Sequence, residues 1–400
     1  MVRDLRTTAG FLLLACAACG GDDSDTREHA EWVTELEHRF TGTAEQGVLF
    51  NWAFLRADPY RNRILVVDPM ETQVSVWNPD GSLQFVVGRK GEGPGEFNRP
   101  ARIYFNEDGG FSVQEGWGTR FTHYTADGVL EGTEIGTTTA LRYQDTRVGI
   151  ETPTTDGGYV VRPLYSASRM AGLLGGPPMV RQPLLLVRRS DAGQWLPPEE
   201  IFWQDTRNQL LAVIMDDSNT FTAQYFGDDD RTAFAHGKIL VMRRSGGPPG
   251  SLGLLELNAK GDTLWERRLQ FQPHNLTPEW VQEIVDGWIG AFPRPGMLRA
   301  EQLSYLEAFE EALYKPEYLP AAASFFLSAS DDVWLKTFER VDTLRVYYTI
   351  PRGDSSGEPR RVLLPEAMQA TDATATHVWG TRDDALGVPY VVGRRLMPPR

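Results

Sequence analysis

The sequence predicts an all-β fold, a six-bladed β-propeller of four-stranded blades, on two observations. A phrase of short β-rich runs returns about every 45 residues, and a tight glycine-bearing turn returns within it. The clearest copy is NRILVVDPMETQVSVWNPDGSLQFVVG, with runs at 64–67, 73–77 and 83–87. Asn78-Pro79-Asp80-Gly81 turns the chain between the last two, with Gly81 free to take positive φ.

The chain opens on a processing signal. Arg3 and Arg6 make a basic start, and FLLLACAA is an apolar run too short to cross a bilayer as a helix. Leu13-Leu14-Ala15-Cys16 resembles the bacterial lipobox, and Cys19 also follows small residues and precedes Gly20-Gly21. Lipidation of Cys16 or of Cys19 is therefore expected, and the spacing leaves both open. A redox or metal pair would need partners in a folded domain, and the chain has no other cysteine. Residues 1–18 thus read as a lipoprotein signal peptide and 19–30 as an acidic flexible tether. A single propeller domain is expected over 31–396.

EWVTELEHRF, residues 31–40, alternates imperfectly and reads as a strand, with a short amphipathic helix as the alternative. The second copy has runs at 111–114, 120–124 and 129–135, turning at Asp127-Gly128. The third turns at Asp191-Ala192-Gly193 and the fourth at Lys260-Gly261. The fifth runs from Asp331 to Pro365, and the sixth, HVWGTRDDALGVPYVVGRRL, stops before a closing strand. The spare segment 31–40 supplies that strand, which closes the ring and removes an open seam. Weak alternation at 184–187 and 239–242 fits strands packed on both faces by neighbouring blades.

GRKGEGPGEFNRPARIYFNEDGGFSVQE resembles the G-x-x-G-x-G-P-G-x-F…P blade boundary of NHL-type and related six-bladed propellers, most clearly over residues 45–135. The closing region, from LPAAASFFLSASDDVWLKTFERVDTLRVYYTI to TRDDALGVPYVVGRRL, resembles the carboxyl end of bacterial propeller lipoproteins of unknown function. The middle blades depart from that pattern, lacking the glycine-rich boundary and carrying long insertions. The glycine-rich loop is no dinucleotide cradle. It precedes a strand instead of a helix, Pro94 removes a backbone donor, and Glu92 and Glu96 would oppose an anion.

Chemical motifs are sparse. The six histidines are scattered without an H-x-H or H-E-x-x-H pair, and there is no G-x-S-x-G elbow, so neither a metal nor a cofactor is expected. Asp228–Asp230 lack the spacing of a calcium loop and read as a solvated turn. The formal charge of −14 becomes −15 without residues 1–18, which disfavours nucleic acid and anionic headgroups, so the lipid must supply any hold on a membrane.

Long connections carry the remaining information. They fall between the second and third strands of blades three and four, and after the fourth strands of the same blades. All four emerge on one face, and loops on a rigid scaffold commonly carry function. The longest contains a helical insertion at about 276–314, with Thr277 as N-cap and Trp280, Val281, Ile284, Val285, Trp288 and Ile289 at one-face spacing. A second helix, 299–313, puts Leu303, Leu306 and Phe309 on one side.

Trp117, Arg169, Arg243, Arg244, Trp288 and Arg382 are the candidate ligand- or partner-binding residues on this face. The expected function is a membrane-tethered binding module of the cell envelope for a protein, peptide or glycan. The alternative is a hydrolase or lyase with a channel-centred site, with or without a divalent metal. The shortage of chemistry-bearing residues favours binding.

Overall fold

The computed structural model describes residues 31–399 except 117, 119, 136–140, 156, 174–176, 216–217, 236–237, 292–298 and 353–356. The segments read as signal peptide and tether, both cysteines and Trp117 lie outside the described residues.

Strand β1 (Glu31–Phe40) comes first. Blade one holds β2 (Phe54–Ala57), β3 (Ile64–Asp68), β4 (Gln73–Trp77) and β5 (Leu83–Val87). Blade two holds β6 (Pro100–Phe105), β7 (Phe111–Glu115), β8 (Arg120–Tyr124) and β9 (Leu130–Ile135). A short β10 (Arg142–Tyr143) leads into blade three: β11 (Thr146–Pro153), β12 (Tyr159–Pro163), then helix α1 (Ala167–Met170), β13 (Arg181–Val187) and β14 (Glu199–Asp205). A hairpin, β15 (Leu210–Met215) and β16 (Ser218–Ala223), precedes blade four. Blade four holds β17 (Arg231–Ala235), β18 (Lys238–Arg243), β19 (Ser251–Leu257) and β20 (Thr263–Gln270). Helices α2 (Pro278–Ala291) and α3 (Arg299–Ala312) follow. Blade five holds β21 (Ser324–Leu327), β22 (Val333–Val341), β23 (Leu344–Ile350) and β24 (Arg360–Pro365). Blade six begins with β25 (Gln369–Ala373), β26 (His377–Asp383) and β27 (Pro389–Met397).

The fourth strand of blade six is β1. It pairs antiparallel with β27 from Val33↔Met397 to Phe40↔Val391. Its first residues also pair in parallel with the outer strand of blade five, Glu31↔Arg361 and Trp32↔Val362. The segment left over in sequence therefore covers two outer edges that would otherwise be open to pairing with other chains.

Packing between blades accounts for the weak alternation. One apolar cluster lies at each junction. Leu65, Val74 and Val76 meet Phe97 and Phe111 between blades one and two, and Phe121 meets Ile150 and Val161 between two and three. Val160 and Leu184 meet Ile239 and Val241 between three and four, and Leu252 and Leu254 meet Leu335 and Val346 between four and five. Trp334 and Tyr347 meet Val378 and Val392 between five and six, and Phe40 and Trp77 meet Trp379 and Val391 where six returns to one. Six junctions for six four-stranded sets make a closed ring.

The glycine-rich loop is a blade connector. Phe97 is fully buried, and a Cβ at Gly88 would stand 2.2 Å from its ring. The Glu96 carboxylate accepts the Gly93 amide at 2.9 Å, and the buried Arg120 side chain donates to the Glu92 carbonyl at 2.7 Å. The loop's polar groups are thus largely used within the fold.

Three expectations need correction. Asp228–Asp230 are not a solvated turn: Asp229 and Asp230 are buried, with Asp229 paired to Arg244 at 2.9 Å and to Arg231 at 3.2 Å. In the insertion, Leu303 is exposed, and the buried face of α3 is made instead by Tyr305 and Phe309. The connection after blade three, read as a loop, contains the β15–β16 hairpin, and the helices pack on it. Leu211 and Val213 meet Val285, Tyr305, Phe309 and Leu313 there, with Trp288 stacked on Phe309 at 4.6 Å. Blade five holds the other side of α2, where Arg340 grips Glu283 and lies 4.1 Å above the Trp280 ring.

Candidate functional site

Connections that leave the second and fourth strands of each blade emerge on the long-loop face. There the inner strands of blades two, three and four open into a cavity of about 630 Å³. Its floor carries Arg102 from β6, Glu151 from β11, Arg162 from β12 and Arg231 from β17. Its rim is Tyr165 and Met170 of the blade-three loop, with Leu210 and Ala223 of the hairpin.

Local backbone geometry sets this arrangement. Glu151 is the unpaired residue of a bulge between Ile150 and Thr152, and such bulges re-aim a side chain. Its carboxylate meets Arg102 at 2.8 Å and Arg162 at 2.6 Å. Arg102 and Tyr104 lie two residues apart on one face of β6. Arg102 donates to the Glu151 carbonyl at 2.8 Å, and the Tyr104 hydroxyl donates to the same oxygen at 2.9 Å. Burial pushes the Tyr104 phenol up to about 12 although Arg102 and Arg56 pull it down, so it stays a donor. Arg162 donates to Thr232 Oγ1 at 2.9 Å and stands 5.9 Å from the Phe234 ring.

Exposure separates the charges. The Arg102, Arg162 and Arg231 side chains are 38%, 18% and 25% exposed, whereas Glu151 and Asp229 are 4% and 0% exposed. Solvent in the cavity therefore meets guanidinium groups above buried carboxylates. Burial works against the Arg102 charge, but Glu151 and Tyr104 more than compensate and hold its pKa above the ordinary value. Gln182 and Gln204 line the same space as neutral groups, each donating to a backbone carbonyl at 2.8 Å.

Of the residues singled out from the sequence, those that are described do not line this cavity. Arg169 is exposed beside it, 4.7 Å above the ring of the lining residue Tyr165. Arg243 is exposed and stands 5.3 Å from the Phe202 ring. Arg244 is buried, donating to Asp229 Oδ1 and to the carbonyls of Asp229 and Ala322. It latches blade four to blade five and has little of its side chain free for a ligand. Trp288 is part of the helix–hairpin core, and Arg382 sits on β26, well away in sequence and blade from the cavity. Arg102, Arg162 and Arg231 were missed because each stands alone inside a strand. Only the convergence of three blades joins them.

A second cavity, about 710 Å³, opens on the opposite face where blades one and six meet. His38, His377, Trp379, Asp80, Tyr60 and Arg61 are among its lining residues. Glu37, His38 and His377 offer ligand atoms within 4.8 Å of one another there. No motif marks this cluster, because its two histidines stand at opposite ends of the domain, 339 positions apart.

Among the described residues, no helix is long and apolar enough to cross a membrane. A family model described as a 6-bladed β-propeller matches residues 56–130. No curated protein matches the chain. Similar solved structures include a putative exported protein of Bacteroides fragilis, at 9% identity and a TM-score of 0.45 over 92% of this chain and 99% of that one. A catalytically inactive virginiamycin B lyase of Staphylococcus aureus, with quinupristin, is similar at 11% identity and 0.42, covering 91% and 100%. A member of the DUF4221 family from Bacteroides vulgatus follows at 8% and 0.42, covering 92% and 98%. At such identities nothing about a ligand or a reaction passes to this chain. The fold is a β-propeller, and the six-bladed description of the family model agrees with the six four-stranded sets and six junctions seen here.

Proposed function

We propose that this protein is an exported, lipid-tethered binding module whose long-loop face takes a carboxylate-bearing ligand into the channel-mouth cavity. The observation that carries the reading is the display of Arg102, Arg162 and Arg231 over buried Glu151 and Asp229. Planar guanidinium groups match carboxylates in a two-point geometry. A locally cationic mouth on a chain of net charge −14 also focuses anions toward one place. Tyr165, Phe234, Met170 and Leu210 supply apolar surface for the rest of the ligand, as binding cavities usually do.

A channel-centred hydrolase or lyase finds less support. Such a reaction needs a free acid or base, and the carboxylate facing this cavity, Glu151, is held between two arginines. No histidine is among the lining residues described.

The test is calorimetric titration of the purified protein with two probes, an oligogalacturonate and a glutamate-rich peptide. Binding that weakens at least tenfold in Arg102→Gln, with a folded circular dichroism spectrum, supports the site. The probe that binds more tightly identifies the ligand class. Unchanged affinity for both probes in Arg102→Gln, or no binding of either by the parent protein, would sink the reading.

A further inference from the structure

We propose that Glu37, His38 and His377 form a binding site for a transition-metal dication, zinc(II) foremost, that clasps the amino-terminal strand onto blade six. The site lies on the face opposite the channel-mouth cavity, so it stands or falls on its own.

Three features of the backbone assemble it. The pairing of β1 with β27 slips between Leu36 and His38, leaving Glu37 as a bulge residue. A bulge lets two successive side chains reach one place, which regular alternation forbids. Next, His38 and Trp379 both register with Gly393 from opposite sides of β27. A Cβ at Gly393 would stand 2.4 Å from the Trp379 ring, so the glycine lets groups on β1 and β26 meet across the strand between them. His38 accordingly stacks on Trp379 at 5.4 Å and 8°, with its ring 5.2 Å from that of His377. Finally, the turn before β26 places Thr376 Oγ1 2.9 Å from His377 Nδ1. A hydroxyl can donate or accept, so Thr376 holds the ring in place in either tautomer and lets Nε2 release its proton to a metal, as outer partners do around ligating histidines.

The distances are close to those of a metal site. His377 Nε2 lies 3.0 Å from Glu37 Oε2, and His38 Nε2 lies 4.0 Å from Glu37 Oε1. Zinc(II) held at about 2.0–2.2 Å sets its ligand atoms roughly 3.3–3.6 Å apart. The two distances run to different Glu37 oxygens, and with one ligand atom from each residue all three lie within 4.8 Å, so side-chain movements must draw them in around a metal. Two imidazoles and one carboxylate are a ligand set that zinc(II) accepts. His38 and His377 line the 710 Å³ cavity, from which water can supply a fourth ligand.

The surrounding charge suits a cation. Arg395 grips Glu37 from the other side at 2.5 Å, fixing the carboxylate as an outer partner would. Asp80, on the β4–β5 turn, faces His38 electrostatically and adds a second negative charge beside the site. Arg395 offsets one of the two carboxylates, which leaves a net negative charge that favours a bound cation.

Cobalt(II) and zinc(II) titrations of the mature protein, stripped with chelator, test the proposal. The expected results are one equivalent bound per chain, the visible bands of tetrahedral cobalt(II), and a Tm that rises with zinc(II). His377→Ala and His38→Gln should each weaken binding at least 100-fold, and Thr376→Ala about tenfold. Calcium should neither compete nor raise Tm. Absence of stoichiometric binding by the folded parent protein would overturn the site. So would binding that persists in a folded double variant lacking both histidines.

Discussion

Arginine in this protein works at two depths. Arg244 is buried, and that burial pushes its pKa down to about 10 even beside Asp229. Asp229 is raised in turn, because burial outweighs the pull of Arg244 and Arg231. Each charge makes the other tolerable, and without Arg244 the buried Asp229 keeps only the more exposed Arg231 at 3.2 Å. Arg244→Ala is expected to cost about 3–5 kcal/mol. Arg243→Ala, one position away and exposed, should stay within about 0.5 kcal/mol. Urea denaturation of the two variants checks this. Equal midpoints would show that the Asp229–Arg244 pair does not hold the ring. The same logic makes Arg102 the better probe of the cavity, since its side chain is the most exposed of the three cations there.

Among elements, β1 has the widest consequences. It completes blade six, touches the outer strand of blade five and carries Phe40, which is 8% exposed and stacks on Trp77 at 5.0 Å. Deleting residues 1–30 removes none of these contacts. Deleting 1–41 strips the outer edge of β27 and empties the Phe40 site. Burial of that ring alone stabilises by about 1.5–3 kcal/mol, so a loss of at least ~3 kcal/mol is expected once strand pairing is added. Calorimetric Tm values for the two truncations should differ accordingly, and identical values would refute the closing role. The helical insertion is a different kind of element. With Val285, Trp288, Tyr305 and Phe309 turned onto the β15–β16 hairpin, it is chiefly a packed cap beside the cavity. The one-face spacing of α2 was legible in sequence, but its partner was not, because the hairpin lies about 65 positions earlier.

At the scale of the whole molecule, a ring of blades is tied to an acidic amino-terminal segment that bears the only two cysteines. If that segment is a lipidated tether, the propeller's own surface need not bind lipid. The protein should enter the detergent phase on phase separation and incorporate a labelled fatty acid. Both properties should vanish in the Cys16→Ser, Cys19→Ser double variant. A label that persists there, or a parent protein that stays in the aqueous phase, would remove the anchor from the functional reading.

The sequence by itself determined the repeating β-phrase, its turns and the spare segment that closes the ring. Those are local or periodic properties, written wherever apolar runs alternate with Asn-Pro-Asp-Gly or Asp-Gly. Tertiary structure alone decided which charges meet. Glu37 and Glu151 both owe their aim to bulges, which depend on pairing register and leave no mark in the residue pattern. Arg102, Arg162 and Arg231 come from three different blades, and His38 and His377 from the two ends of the domain. A ring brings distant positions together at its axis and at its seam. Sites built there are therefore sparse in sequence and dense in space.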